Sequence, residues 1–200
     1  GFLQQCVEGG FTIKNLETKP AKKSPAPPFI TSTLQQEASR KMGYAVDRTM
    51  KLAQGLYEAG KISYMRTDST SLSEDAIENA TAAIKSAYGD KYVFNRQFKT
   101  KDENAQEAHE AIRPTDFSIN AAGSDPREKR LYDLIWKRAI ASQMADAQLE
   151  RTTATVNIST TPEDLIAQGE VIKFDGFLKV YLEGKDDEED EENSKMLPPL

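Results

Sequence analysis

The chain has almost no cysteine or histidine, the residues that build disulfides and zinc sites. Its 200 residues hold one cysteine, one histidine and one tryptophan. A single thiol, Cys6, excludes an internal disulfide and fits a reducing compartment, so a cytoplasmic setting is expected. His109-Glu110 begins like a zinc-protease motif, but the second histidine that motif needs would fall at residue 113, where Arg113 stands. No apolar run approaches the ~20 residues that span a bilayer, and no secretory signal is present, so no membrane partner is expected. The chain starts at Gly1 and ends in Pro198-Pro199-Leu200, which closes no obvious element. It reads as a piece of a longer protein.

The net charge of -6 is local in origin. Residues 183–192 carry eight carboxylates and one lysine, a net of -7, which leaves the other 190 residues at +1. Such a block is solvated and flexible. Asp186, Asp187 and Asp190 make no metal site by themselves, because like charges without a fold around them repel. A near-neutral body leaves room for nucleic-acid contact wherever its positive charge gathers.

Phe11, Ile13 and Leu16 alternate as in a strand. The run Lys19-Pro20-Ala21-Lys22-Lys23-Ser24-Pro25-Ala26-Pro27-Pro28 reads as a stiff basic connector and a domain boundary. Ser32 with Gln35 has the spacing of a capping box. Leu34, Ala38 and Met42 continue it as an apolar stripe that ends at Gly43. Asp47 caps a second helix, with Met50, Ala53, Leu56 and Tyr57 facing inward and Gly60 as its stop. A strand follows at 61–66. Two helices and a strand make either a winged-helix-like unit or a plain helical hairpin. Ser73 caps a helix marked by Ala76, Ile77, Ala80, Ile84 and Tyr88 and closed by Gly89. Residues 89–123 read as a long, loop-rich stretch of the kind that carries function. Pro126 opens a further helix marked by Leu131, Leu134, Ile135, Arg138 and Met144. Period-two patterning returns over 153–158 and over Val171 to Leu182, with Asp175-Gly176 as a turn. The fold class is α+β: a mainly helical, winged-helix-like domain (29–149) inserted between two parts of a β domain (1–28 and 150–200, the latter with a flexible acidic segment at 183–193).

Two segments carry chemistry. In Ile62-Ser63-Tyr64-Met65-Arg66-Thr67-Asp68-Ser69-Thr70, an extended backbone would send Tyr64 and Arg66 to one face. A phenol oxygen beside a guanidinium suits attack on a phosphodiester, the oxygen forming the new bond and the cation holding the phosphate oxygens. A half-buried strand tyrosine is the bland alternative. The second segment, Glu107-Ala108-His109-Glu110-Ala111-Ile112-Arg113-Pro114-Thr115, sets His109 among polar neighbours, which favours anion contact over core packing.

Together these segments resemble the type IA DNA topoisomerases. Phe29-Ile30-Thr31-Ser32-Thr33-Leu34-Gln35-Gln36-Glu37-Ala38-Ser39 is similar to the start of that family's catalytic-tyrosine domain. Arg151-Thr152-Thr153 and Phe174-Asp175-Gly176-Phe177 resemble its return into the β arch. Met65 and the Glu110/Arg113 pair are closest to bacterial topoisomerase I. The resemblance implies that Tyr64 attacks single-stranded DNA at junctions of negatively supercoiled duplex, forming a 5′-phosphotyrosine that is rejoined without ATP. Arg66 would bind the scissile phosphate and His109 the backbone near it. Asp68 would orient His109 or serve as a turn residue. Ser69 is a further candidate for DNA contact, Arg113 would be structural or backbone-binding, and Arg48 and Lys51 are the basic side chains of the second helix that a winged-helix-like reader would turn toward phosphates. The family places a magnesium site and most of the DNA groove in other domains of the same polypeptide. The chain alone is therefore expected to hold no metal and to be inactive, in a protein of the cytoplasmic nucleoid. The alternative is a winged-helix-like DNA-binding module without catalysis.

Overall fold

The computed structural model describes residues 1–98 and 109–181. The acidic segment 183–193, Leu182 and the Glu107-Ala108 end of the second motif lie outside the described residues. The elements are α1 (Phe2–Glu8), β1 (Phe11–Lys23), α2 (Thr31–Met42), α3 (Val46–Glu58), α4 (Glu74–Tyr88), α5 (Pro126–Ser142), β2 (Ala147–Ile158) and β3 (Asp164–Phe174), with 3-10 turns at Asp90–Tyr92 and Gly176–Lys179. The class is α+β. Among the described residues, no helix is long and apolar enough to cross a membrane.

The chain divides into two compact units. The first joins residues 1–23 to 147–175. Its sheet is antiparallel in the order β1-β2-β3. Threonine and β-branched residues in β2 favour the pleated conformation. The expected connector at Lys19–Lys23 is instead the second half of β1, paired to Ala147–Arg151. Pro20 is tolerated there because β1 is an edge strand, where a missing N–H need not break a ladder. The last strand also lies earlier than the sequence pattern places it. It begins at Asp164, and the chain turns at Gly176 (φ +53) into a 3-10 turn where a strand was expected. A side chain at Gly176 would meet the Ala145 and Asp146 carbonyl oxygens within 2.6 Å, so the turn requires glycine on both counts.

The second unit holds residues 24–146 and 176–181 of the described chain. Its core lies around α5, whose Leu131, Tyr132, Leu134, Ile135, Ala139 and Ile140 are buried. Asp125 caps this helix by accepting the Arg127 and Glu128 amides, ahead of Pro126 in its first turn. Ser73 caps α4 as its position predicts, accepting the Ala76 amide at 3.3 Å. The start of α2 differs from expectation. Its N-cap is Ile30, and Thr33 Oγ1 accepts the Ile30 amide at 3.0 Å, so Ser32 and Gln35 do not form the capping box. In α3, Ala53 and Leu56 are buried, but Tyr57 is 41% exposed rather than inward. No strand ladder forms over 61–66. The stretch makes one isolated bridge, Ile62 to Pro114.

Candidate functional site

Three segments far apart in sequence are stitched together by backbone hydrogen bonds. Ser63 donates its amide to the Arg113 carbonyl at 2.9 Å, and Thr115 donates to the Lys61 carbonyl at 3.0 Å. The Ile112 amide donates to the Phe29 carbonyl at 2.8 Å, the Ala111 amide to the Ser71 carbonyl at 2.8 Å, and the Thr31 amide to the Thr67 carbonyl at 3.0 Å. The Ser63 hydroxyl adds two more links, donating to the Ala111 carbonyl at 2.7 Å and accepting the Arg113 amide at 2.9 Å. The motifs around Thr31, Tyr64 and His109 are thus one structure. Ile62, Met65, Ala111 and Ile112, each at most 1% exposed, anchor it in the core.

Burial along the Tyr64 segment alternates without a ladder. Met65 and Ser69 are buried, and Tyr64, Arg66 and Asp68 are exposed. Side chains at every second residue therefore reach solvent, as the extended reading required. Arg66 and Asp68 line an open hollow of about 480 Å³ together with His109, Thr67 and the first turn of α2: Ile30, Thr31, Ser32 and Gln35. A guanidinium, an imidazole and the positive end of a helix dipole share this hollow, an arrangement that attracts an anion. Among the described residues, Asp68 is its one carboxylate. Both Asp68 and His109 line the hollow, but among the described residues no hydrogen bond joins them.

Tyr64 does not line the hollow. Its ring is 46% exposed and packs edge-on against Tyr57, with centroids 5.2 Å apart and planes at 64°. Arg48 and Lys51 are exposed on α3 and also stand outside the hollow lining. Ser69 is buried, and its hydroxyl accepts the Ser71 amide at 3.2 Å, so it shapes the turn rather than facing solvent. Arg113 is engaged on all sides. Nε and Nη2 donate to the Glu110 carboxylate, and Nη1 donates to the Pro114 carbonyl at 3.1 Å. The sequence assigns none of Thr31, Ser32, Gln35, Tyr57 and Ser63 to the site, since it reads Ser32 and Gln35 as a capping box and Tyr57 as a core residue. The only signal for the first three is the hydroxyl-rich start of α2.

Among the described residues, no three Asp, Glu, His or Cys side chains gather as metal ligands. A lone carboxylate beside two cationic or neutral nitrogen groups does not fit a magnesium ion, which takes oxygen ligands. The chemistry assigned below therefore uses this chain's own side chains.

A family model described as DNA topoisomerase matches residues 1–200. DNA topoisomerase 1 of Zymomonas mobilis subsp. mobilis is 53% identical over 195 residues, covering 96% of this chain and 16% of the relative. DNA topoisomerase 1 of Rickettsia bellii is 48% identical over 215 residues, covering 100% of this chain and 26% of the relative. The full-length topoisomerase I structure from Thermotoga maritima matches with a TM-score of 0.75 at 33% identity, over 95% of this chain and 31% of that one. The chain thus spans well under half the length of the relatives it matches. With a family match from end to end and relatives about half identical over nearly its whole length, the chain belongs to the DNA topoisomerase family.

Proposed function

We propose that this chain supplies the nucleophilic half of a type IA strand-cleaving centre, acting within a longer polypeptide on single-stranded DNA in negatively supercoiled duplex. Tyr64 Oη attacks the phosphorus of a backbone phosphodiester. The P–O3′ bond breaks, the phenolic proton is lost, and the departing 3′ oxygen takes up a proton. The products are a 5′-phosphotyrosine and a 3′-hydroxyl. The new ester keeps the energy of the broken bond, so the reverse attack by the 3′-hydroxyl reseals the strand without ATP.

A tyrosine hydroxyl ionises near ~10 in water, so the attack at neutral pH needs help. Arg66 binds the phosphate oxygens through its planar donor fork and stabilises the charge that grows on them. His109 contacts the neighbouring backbone from across the hollow, and Asp68 sets a negative charge on the same hollow. The first turn of α2 adds the positive end of its dipole. Magnesium would be held by other domains of the polypeptide. When bound there, it would supply further electrostatic stabilisation of the phosphate.

The observation that carries this reading is the gathering of Arg66, Asp68 and His109 around one hollow, with Tyr64 exposed on the same stretch of chain. The test is Tyr64→Phe in the full-length protein. Loss of covalent protein–DNA adducts on denaturing gels, with folding intact, supports it, and retained adducts overturn it. The activity of the full protein depends on domains outside this chain, and the isolated chain should not relax supercoiled DNA. The winged-helix alternative gains nothing specific, because the stretch after α3 makes one bridge where a wing strand would stand.

A further inference from the structure

Thr31 opens α2 and also grips the segment that carries Tyr64 and Arg66. Its hydroxyl lies 2.8 Å from the Met65 carbonyl oxygen and 3.0 Å from that of Thr67, and it accepts the Thr67 amide at 2.9 Å. The Thr67 carbonyl already accepts the Thr31 amide at 3.0 Å. A hydroxyl has one hydrogen to give, so its best use is the nearer and otherwise unclaimed Met65 carbonyl. The Met65 carbonyl belongs to the peptide unit before Arg66, and the Thr67 amide to the unit after it. One side-chain oxygen therefore fixes both peptide planes that flank the Arg66 Cα, and with them the Arg66 backbone dihedrals. Met65, fully buried between Tyr64 and Arg66, locks the same stretch from the core side.

We propose that Thr31 is a positioning residue for strand cleavage: its hydroxyl aims Arg66 at the scissile phosphate. Among the described residues, no other side chain bonds both peptides, and Tyr64, Arg66 and Asp68 are exposed. Thr31 also lines the hollow with Arg66 and His109, so its grip acts at the site and not at a distance. This inference rests on the reading of Tyr64 as nucleophile and Arg66 as its phosphate contact.

The test uses the full-length protein and a fluorescent single-stranded oligonucleotide, following covalent adduct formation and non-covalent binding separately. Thr31→Val keeps the shape but removes donor and acceptor. It should slow adduct formation about 10- to 100-fold, the scale of a misplaced reacting group, while the dissociation constant for the oligonucleotide changes less than about 3-fold, because uniform binding is untouched. Thr31→Ser keeps the hydroxyl and should restore most of the rate. In an Arg66→Ala background, Thr31→Val should cost little more, because the residue it aims is gone. Where Thr31→Val does not fold, Thr31→Ala is measured against the same criteria. Wild-type rates for the valine variant, or full additivity with Arg66→Ala, overturn the inference. Tyr64→Phe is run alongside. If it still forms adducts, the nucleophile reading fails and takes this inference with it. If it forms none while Thr31→Val cleaves normally, this inference alone fails.

Discussion

Glu110 Oε2 lies 2.7 Å from Arg113 Nη2, and its partner oxygen accepts the Ser73 amide at 2.8 Å, so one carboxylate ties the His109 segment to both Arg113 and the start of α4. Burial, the largest influence on this carboxyl, pushes its pKa up. The hydrogen bonds from Arg113 and Ser73 and the Arg113 charge more than offset it and hold the group below its ordinary 4.5. A depressed folded-state value means stability that is complete above the unfolded value and lost as the pH falls through the folded one. Glu110→Gln should lower the melting temperature at pH 7, by a loss on the order of 1–3 kcal/mol for charge-assisted bonds. The gap between the two proteins should narrow as the pH drops below 4.5. A gap that stays constant down to the acid transition would count against this role.

Ser63 joins the two motifs through a single oxygen that both donates and accepts. Ser63→Ala leaves the Arg113 amide and the Ala111 carbonyl without that partner in a half-buried place, at a cost of about 1–3 kcal/mol. Native-state hydrogen exchange should read this locally. The Arg113 amide should exchange faster in the variant while amides in the middle of α5 keep their protection. Uniform loss of protection across the unit would show instead that the change is global.

Much of the helical unit was legible because its signals are local. Ser73, Pro126 and the glycines Gly43, Gly60 and Gly89 act on the turn they sit in, and each ends or starts a helix where the sequence puts it. Two local signals failed: Asp47 lies inside the first turn of α3, whose N-cap is Ala45, and Ile30 rather than Ser32 caps α2. The other errors share a different cause. The strand expected over 61–66 rested on alternation, which reports side-chain direction but not whether a partner strand exists. The alternation of exposure holds from Tyr64 to Ser69, but Arg66 lines the hollow and Tyr64 does not, and the ladder is absent. Tyr57 sits at the edge of the apolar stripe formed by Ala53 and Leu56, and only the arrival of Tyr64 explains its exposed, edge-on placement. Thr31 was unreadable for the same reason, since its partners lie 34 and 36 residues away. Of the site, Arg66, Asp68 and His109 meet around one hollow, whereas the basic residues Arg48 and Lys51 do not line it.

The Tyr57 ring limits the swing of Tyr64. An edge-to-face pair of this kind is worth about 0.5–1.5 kcal/mol. In the full-length protein, Tyr57→Phe keeps the ring and should form adducts at close to the wild-type rate. Tyr57→Ala frees the Tyr64 phenol to sample other rotamers and should slow adduct formation about 2- to 10-fold, the rate equivalent of that energy. Equal rates in both variants would mean that Tyr64 is held by its backbone alone.

Arg138 is the apolar stripe's one buried charge, 5% exposed on α5. Its Nε donates to the Pro27 carbonyl at 2.6 Å, and its Nη1 lies 3.3 Å from the Tyr181 hydroxyl, which donates to Glu37 Oε2 at 2.8 Å. The guanidinium also stacks between the Phe29 and Tyr181 rings, 4.9 and 5.3 Å from their centroids. One side chain therefore clips both the 24–29 stretch and the 176–181 stretch to α5. Removing it takes away the donor that reaches the Tyr181 hydroxyl, which in turn donates to the Glu37 carboxylate, itself 3% exposed. Breaking a buried charged network by deleting one member costs about 3–5 kcal/mol. Arg138→Ala should lower the unfolding free energy by that much, read as an earlier denaturant midpoint, and expose the 24–29 stretch to proteolysis. Arg138→Met keeps the stem's packing and should recover part of the loss, whereas equal losses in the two variants would assign the whole effect to the charge.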